Sequence, residues 1–358
     1  MRDLAQAAIA IIIVCALLFL GISQMNSAGS NGSSNTLTVY NWGEYIDPDL
    51  IDRFEDETGI KVVYETFDSN EAMITKIQQG GSAYDIAVPS EYAIEMMKED
   101  DLLIPLNKEL LPNLTNIDSY FLDLPFDPNN EYSIPYFWGT LGIVYNPNLL
   151  DEDLDFSSWE DLWDPSLKNK VFLFDGSREV IGMGLNATGT TLNSVNEDEL
   201  SAALKHLKAL TPNVKAILGD EITNLMVNNE AAVALTFSGQ AADMMWENEE
   251  LDFAVPEEGS NLWFDNMVIP KTSKNVEAAH AFINFMLDPE VAAQNADYVG
   301  YSTPNVAALD LLDEEVTSDE RFYPTMEQRE RLEVYKNLGL EMVGRYNELF
   351  LEFKMNMN

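Results

Sequence analysis

From Leu37 onward the chain alternates short apolar strands with amphipathic helices that open on capping residues and close on glycines, which restricts it to an α/β sheet covered by helices. Leu37-Thr38-Val39-Tyr40 reads as a strand. Asp47-Pro48 then supply a helix cap and first residue, Leu50, Ile51 and Phe54 form one apolar stripe, and Gly59 stops the helix. Lys61 to Tyr64 reads as a second strand, followed by a helix that starts at Ser69, carries Met73, Ile74 and Ile77, and ends at Gly80-Gly81. Tyr84 to Val88 makes a third strand ending at Pro89-Ser90, and at this spacing the units are expected to be parallel βαβ.

The same alternation returns with strands at Val171 to Phe174, Ala232 to Thr236 and Phe253 to Val255, separated by helices near Arg178 to Leu185, Glu197 to Leu210 and Gln240 to Trp246. This is a second α/β lobe. After Pro270 the chain reads as mostly helical, over Val276 to Leu287, Pro289 to Asp297, Met326 to Leu338 and Gly344 to Lys354. No short period repeats, which excludes a solenoid or propeller.

Ahead of the folded part, Leu4 to Ile22 is an apolar run broken by Gln6 and Gly21 and followed by a Ser/Gly/Asn-rich stretch to Asn35. Residues 1–35 therefore read as an export signal or membrane anchor with a flexible tether. A run of about 20 residues is long enough to span a bilayer and no small-x-small cleavage site stands out, so we expect an uncleaved anchor. Cys15 follows Val14 and is followed by more apolar residues, unlike the cysteine of a lipoprotein signal. As the sole cysteine it leaves the folded part without a disulfide, thiolate nucleophile or cysteine metal site.

Twenty Lys and Arg against 61 Asp and Glu give a formal charge of -41, which excludes a nucleic-acid partner or docking on anionic lipid. That field serves solubility, or life in salt or alkali, and also permits cation binding. At 358 residues and 46% hydrophobic, the chain can bury ample core and suits about two domains.

Open α/β sheets collect ligands in loops at the carboxyl ends of their strands. Four loops follow predicted strands here, Trp42 to Tyr45, Ser90 to Tyr92, Asp175 to Glu179 and Phe237 to Gln240, and their origin in two lobes argues for a cleft between them. Trp42-Gly43-Glu44-Tyr45 and Trp263-Phe264-Asp265 each place a carboxylate two positions from an indole. A carboxylate satisfies an ammonium group while a ring face satisfies methylenes and positive charge, so the chemistry points to an organic amine. Any one of these aromatics could equally be core filling.

Tyr40-Asn41-Trp42 with Glu44-Tyr45, Glu55-Asp56-Glu57-Thr58-Gly59, Val88-Pro89-Ser90, Ser133 to Gly139, Arg178-Glu179-Val180 and Gly300-Tyr301-Ser302-Thr303-Pro304-Asn305 together carry a resemblance. From Leu37 to its C-terminus the chain closely resembles the spermidine/putrescine-binding subunits of polyamine ABC transporters. The resemblance implies a bilobal receptor of the periplasmic-binding-protein type (type II), with lobe 1 formed by 36–140 plus about 266–310 and lobe 2 by about 141–265 plus 311–358. It implies that Trp42, Glu44, Tyr45, Ser90 and Tyr92 face Glu179 and Phe237, with Trp263, Asp265 and Tyr301 completing the wall. Glu179 and Asp265 are expected on ammonium groups, Glu44 on a terminal amine, and the rings on methylenes. The implied partners are spermidine or putrescine, a membrane permease pair and a cytoplasmic ATPase. A monomer outside the membrane, without cofactor or metal, completes the expectation.

Three departures bear on ligand choice. Relatives have an acidic pair before the Ser-Arg-Glu motif, where this chain has Asp175-Gly176. Phe237 stands for a tryptophan, and Tyr335 is the nearest candidate where a glutamine commonly reaches the ligand. They leave spermidine against putrescine open.

A cleft enzyme is the main competing class. His206 and His280 both lie in amphipathic helices, and no Ser-His-Asp order, Gly-x-Ser-x-Gly elbow or phosphate loop is present, although Glu44 with Glu179 could imitate a glycosidase pair. A calcium loop at Asp127, Asn129 and Glu131 fails because Tyr132 stands where glycine is required and Trp138 where the bidentate acid belongs. A receptor for another solute, or an amine sensor, would share the fold.

Overall fold

The computed structural model describes residues 35–151 and 154–357; the expected anchor, tether and Cys15 lie outside them. Among the described residues nine strands run β1 (Thr36–Trp42), β2 (Lys61–Phe67), β3 (Ile86–Ala87), β4 (Ser133–Tyr145), β5 (Val171–Phe174), β6 (Val214–Leu218), β7 (Val233–Phe237), β8 (Asp252–Ala254) and β9 (Leu262–Val268). Their spatial order is β2-β1-β3-β9-β4-β7-β5-β6, with β8 also on β4. The expected parallel βαβ pairings are present at β1 with β2 and β3 and at β5 with β7, and β5 also pairs in parallel with β6, a strand that the sequence reading did not place. The centre is antiparallel, since β4 runs against β9, β7 and β8.

Local signals placed the first helices. Asp47 caps the Pro48–Thr58 helix by accepting from Asp49 N–H, and Gly59 ends it at φ 71. Ser69 caps the Asn70–Gln79 helix through Ala72 N–H, and Gly80 closes it at φ 65.

Strand β4 is the organising element. Its first part, Ser133 to Thr140, pairs with β9, and from Leu141 to Tyr145 it pairs with β7 and, from Ile143, β8. The two parts feed separate apolar cores. Leu37, Phe54, Ile86, Trp138, Phe264 and Ile283 belong to one. Leu141, Trp159, Leu173, Ile181, Leu207 and Phe353 belong to the other. Every residue of β4 is buried, and Pro135 is tolerated because the ladder shifts register between it and Phe137.

One expected element is corrected. The helix read over Met326 to Leu338 ends at Arg329. Glu333 N–H instead donates to Ser260 O at 2.8 Å and Leu262 N–H to Glu333 O at 2.9 Å, so this stretch is an extended segment laid along the start of β9. Strand pairing satisfies backbone groups that a helix would have kept to itself.

Candidate functional site

The β4 register brings the site together. Gly139 lies opposite Trp263, Thr140 opposite Leu262, and Leu141 opposite Phe237 on the other side of the sheet. Trp263 and Phe237 thereby meet edge to face at 6.3 Å. Alternation along β9 puts Trp263 and Asp265 on one face and sends Phe264 to the opposite one, against Phe121 at 5.7 Å.

Asp265 is the centre of the cluster. It is 6% exposed, and each carboxylate oxygen accepts one hydroxyl, Oδ2 from Tyr45 at 2.7 Å and Oδ1 from Ser90 at 2.7 Å. Burial raises its pKa to about 6, against the opposing pull of the Ser90 and Tyr45 hydrogen bonds. Among the described residues no Lys or Arg forms an ion pair with it. Tyr45 and Trp263 approach the Tyr301 ring edge to face at 5.3 and 5.4 Å. The result is an aromatic wall around a desolvated carboxylate.

A second group adjoins it. Asn70 Nδ2 donates to Ser90 Oγ at 3.1 Å and to Tyr92 Oη at 3.0 Å, tying the two loop residues to the start of the Asn70–Gln79 helix. Glu179 is partly buried, and burial raises its pKa, opposed by its own backbone N–H and by Arg178. A side chain at Gly176 would overlap the Glu179 carboxylate, so the acid missing at 176 leaves the space into which Glu179 folds. Burial and then the Glu179 charge raise the pKa of Tyr335, whose hydroxyl is buried without a partner.

Three candidates stand apart from these contacts. Trp42 leans on Phe67 at 4.5 Å, its buried indole N–H unpartnered. Glu44 is exposed, at φ 51. Asp175 is exposed and holds Lys354 at 2.8 Å.

Sequence reasoning missed Glu91 and Arg178. Glu91 is 1% exposed, and its Oε2 accepts the Phe264 N–H at 3.0 Å. Burial pushes its carboxyl up to about 8, opposed by hydrogen bonds from the Phe264 and Glu91 N–H groups. Arg178 stacks over Tyr335 at 4.4 Å and donates to Asn193 Oδ1 at 2.9 Å and Lys336 O at 3.3 Å, which fixes the Tyr335 segment. The signal for Glu91 was its place inside Ser90-Glu91-Tyr92.

The competing readings find structural explanations. His280 Nε2 accepts the Asn107 N–H at 2.8 Å and its Nδ1 meets Val276 O at 2.7 Å, while His206 stacks on Trp163 and meets Glu160 at 2.7 Å. Asp127 Oδ2 accepts from the Tyr132 and Ser133 N–H groups and the Ser133 hydroxyl, closing a turn. Among the described residues no three His, Cys, Asp or Glu side chains are arranged to hold a metal.

The chain is similar to known proteins along most of its described length. A family model described as bacterial extracellular solute-binding protein matches residues 49–324. The spermidine/putrescine-binding periplasmic protein of Escherichia coli (strain K12) is 39% identical over 329 residues, which cover 92% of this chain and 94% of that protein. A solved structure from Listeria monocytogenes, provisionally designated a spermidine/putrescine ABC transporter, superposes with a TM-score of 0.84 at 63% identity, covering 90% of this chain and 99% of that one. The spermidine/putrescine ABC transporter substrate-binding protein of Streptococcus pneumoniae gives a TM-score of 0.84 at 55% identity, over 90% of this chain and 99% of that one.

Proposed function

The chain belongs to the bacterial extracellular solute-binding protein family, and on that premise we propose that it is a receptor that captures polyamines, spermidine or putrescine, outside the membrane and delivers them to an ABC importer. The observation that carries this reading is Asp265, a carboxylate buried among Tyr45, Trp263 and Tyr301 and without a cationic partner among the described residues. An ammonium group supplies the missing charge, and the rings receive the methylenes.

In this reading Asp265 and Glu179 take ammonium groups, Ser90 and Tyr45 orient Asp265, and Tyr92, Phe237, Trp263, Tyr301 and Tyr335 line the methylene path. Trp42 and Glu44 close the far end. A close charge pair in a partly screened site is worth about 4 kcal/mol of raw attraction, much of it offset by desolvation. Affinity therefore depends on several moderate contacts in a preorganised cleft. The lobe division of 36–140 plus about 266–310 against about 141–265 plus 311–358 belongs to the same proposal. The exchange of strand partners between Thr140 and Leu141 supports it. A tether through residues 1–35, a permease pair with its ATPase, a monomeric state and the absence of catalysis complete it.

Isothermal titration of the full-length protein with spermidine, putrescine, spermine and a neutral sugar tests the reading. Saturable one-to-one polyamine binding is expected, with no response to the sugar. Absence of heat and of thermal stabilisation with every polyamine would sink it.

A further inference from the structure

Resting on the amine-receptor reading, we propose that Glu91 is a third amine-facing carboxylate of the cleft, the one that admits a further ammonium group and so favours a triamine over a diamine.

Glu91 opens the Glu91–Glu99 helix directly after Ser90 and is anchored through Oε2 to the backbone between Trp263 and Asp265. Its other oxygen, Oε1, is buried and has no hydrogen-bond partner. A desolvated acceptor of this kind is costly to leave unmade, and a ligand N–H would satisfy it. An amide side chain could hold the Phe264 N–H as well as a carboxylate does, without burying an ionisable group. The carboxyl is accounted for if its charge is used when the cleft is loaded.

The groups around it define that use. Beyond burial, the charge of Asp265 on β9 raises the Glu91 pKa and that of Arg178 on the Ser177–Ala187 helix lowers it. The Glu91 charge in turn reaches Tyr92 on its own helix and Tyr335 on the extended segment. Arg178 is stacked over Tyr335 and bonded to Asn193 and Lys336, so it neighbours Glu91 without forming an ion pair with it. Asp265 and Glu179 match the two charges of a diamine; Glu44, expected on a terminal amine, is exposed, and Glu91 supplies a third buried anion. With burial pushing its pKa up to about 8, the carboxyl of the empty cleft is mostly protonated at neutral pH. When an ammonium group arrives beside it, the O–H bond breaks, the proton leaves to solvent, and the carboxylate pairs with the ligand.

Calorimetric titration of the full-length protein with spermidine and with putrescine, each in two buffers of different ionisation enthalpy near neutral pH, reads affinity and proton release together. The wild type is expected to release more protons with spermidine than with putrescine. Glu91→Gln is expected to weaken spermidine by about tenfold or more, to change putrescine by less than about threefold, and to remove the excess proton release that spermidine shows over putrescine. Equal losses for both amines, or an excess of proton release with spermidine that survives the substitution, would overturn the assignment. If the variant does not fold, the wild type decides, because equal proton release for the two amines also overturns it. Failure of the wild type to bind either amine is a separate result, which overturns the receptor reading and this assignment with it.

Discussion

A β-carbon on Gly239 would coincide with the edge of the Tyr301 ring, so the phenol and the first turn of the Ser238–Glu247 helix share a space that glycine alone leaves open. Tyr301 also touches Tyr45 and Trp263 of the first core, while Gly239 follows β7, which draws on the second. The contact therefore depends on how the two halves of the molecule meet.

Gly239→Ala is expected to push Tyr301 out of the wall and hold the halves apart. Polyamine affinity should fall at least tenfold, about 1.4 kcal/mol, with little change in unliganded thermal stability because opening relieves the clash. Calorimetry paired with thermal unfolding checks this; a stability loss with unchanged affinity would refute the placement.

Asp265→Asn removes the charge while leaving an acceptor for Ser90 or Tyr45. Affinity for every polyamine should drop about 100-fold, roughly 2.7 kcal/mol. Unliganded stability should hold or rise, since an unpaired buried charge is itself unfavourable. Unfolding midpoints with and without spermidine separate the two effects.

The pH dependence follows from raised carboxyls, among them Asp265 and Asp243 near 6 and Glu91 near 8. An unfolded chain releases these protons at about pH 4, so the folded, empty protein binds more protons between about 4 and 8. Their contribution to stability is full below about pH 4 and declines as pH rises through 6 and then 8. Urea midpoints across this range should fall with pH at constant high salt, and the slope should flatten in Asp265→Asn and in Glu91→Gln.

The charge of -41 predicts a kinetic signature. Spermidine association should slow steeply as salt rises, because steering fades beyond about 10 Å at 0.1 M, while dissociation from the buried site should change little. Stopped-flow tryptophan fluorescence, with a Trp263→Phe control to identify its share of the signal from six tryptophans, measures both rates.

Helix boundaries set by local chemistry were legible in the sequence. Asp47 with Gly59 and Ser69 with Gly80 bracket their helices because capping involves residues within one turn. The central strands were not. Ser133 to Tyr145 and Leu262 to Val268 are buried along their whole length, so they lack the alternation that marks a half-exposed strand, and a proline interrupts the first. Tyr335 was legible as a residue but not as a conformation, since its neighbour Glu333 is ordered by Ser260 and Leu262, some 70 positions away. Glu91 was hidden for another reason. An acid in the first turn of a helix is what the helix dipole favours anyway, and its burial depends on β9, which no local pattern announces.

The division of β4 between two ladders has a mechanical consequence. Sliding one half along the other would break hydrogen bonds to β9 or β7 and flip side chains across the sheet, whereas bending near Thr140 and Leu141 keeps both ladders in register. In the proposed division of the lobes, β4 is thus one of the crossings about which they bend, and for the proposed receptor the length and charge of the solute would be transmitted to a partner as an angle.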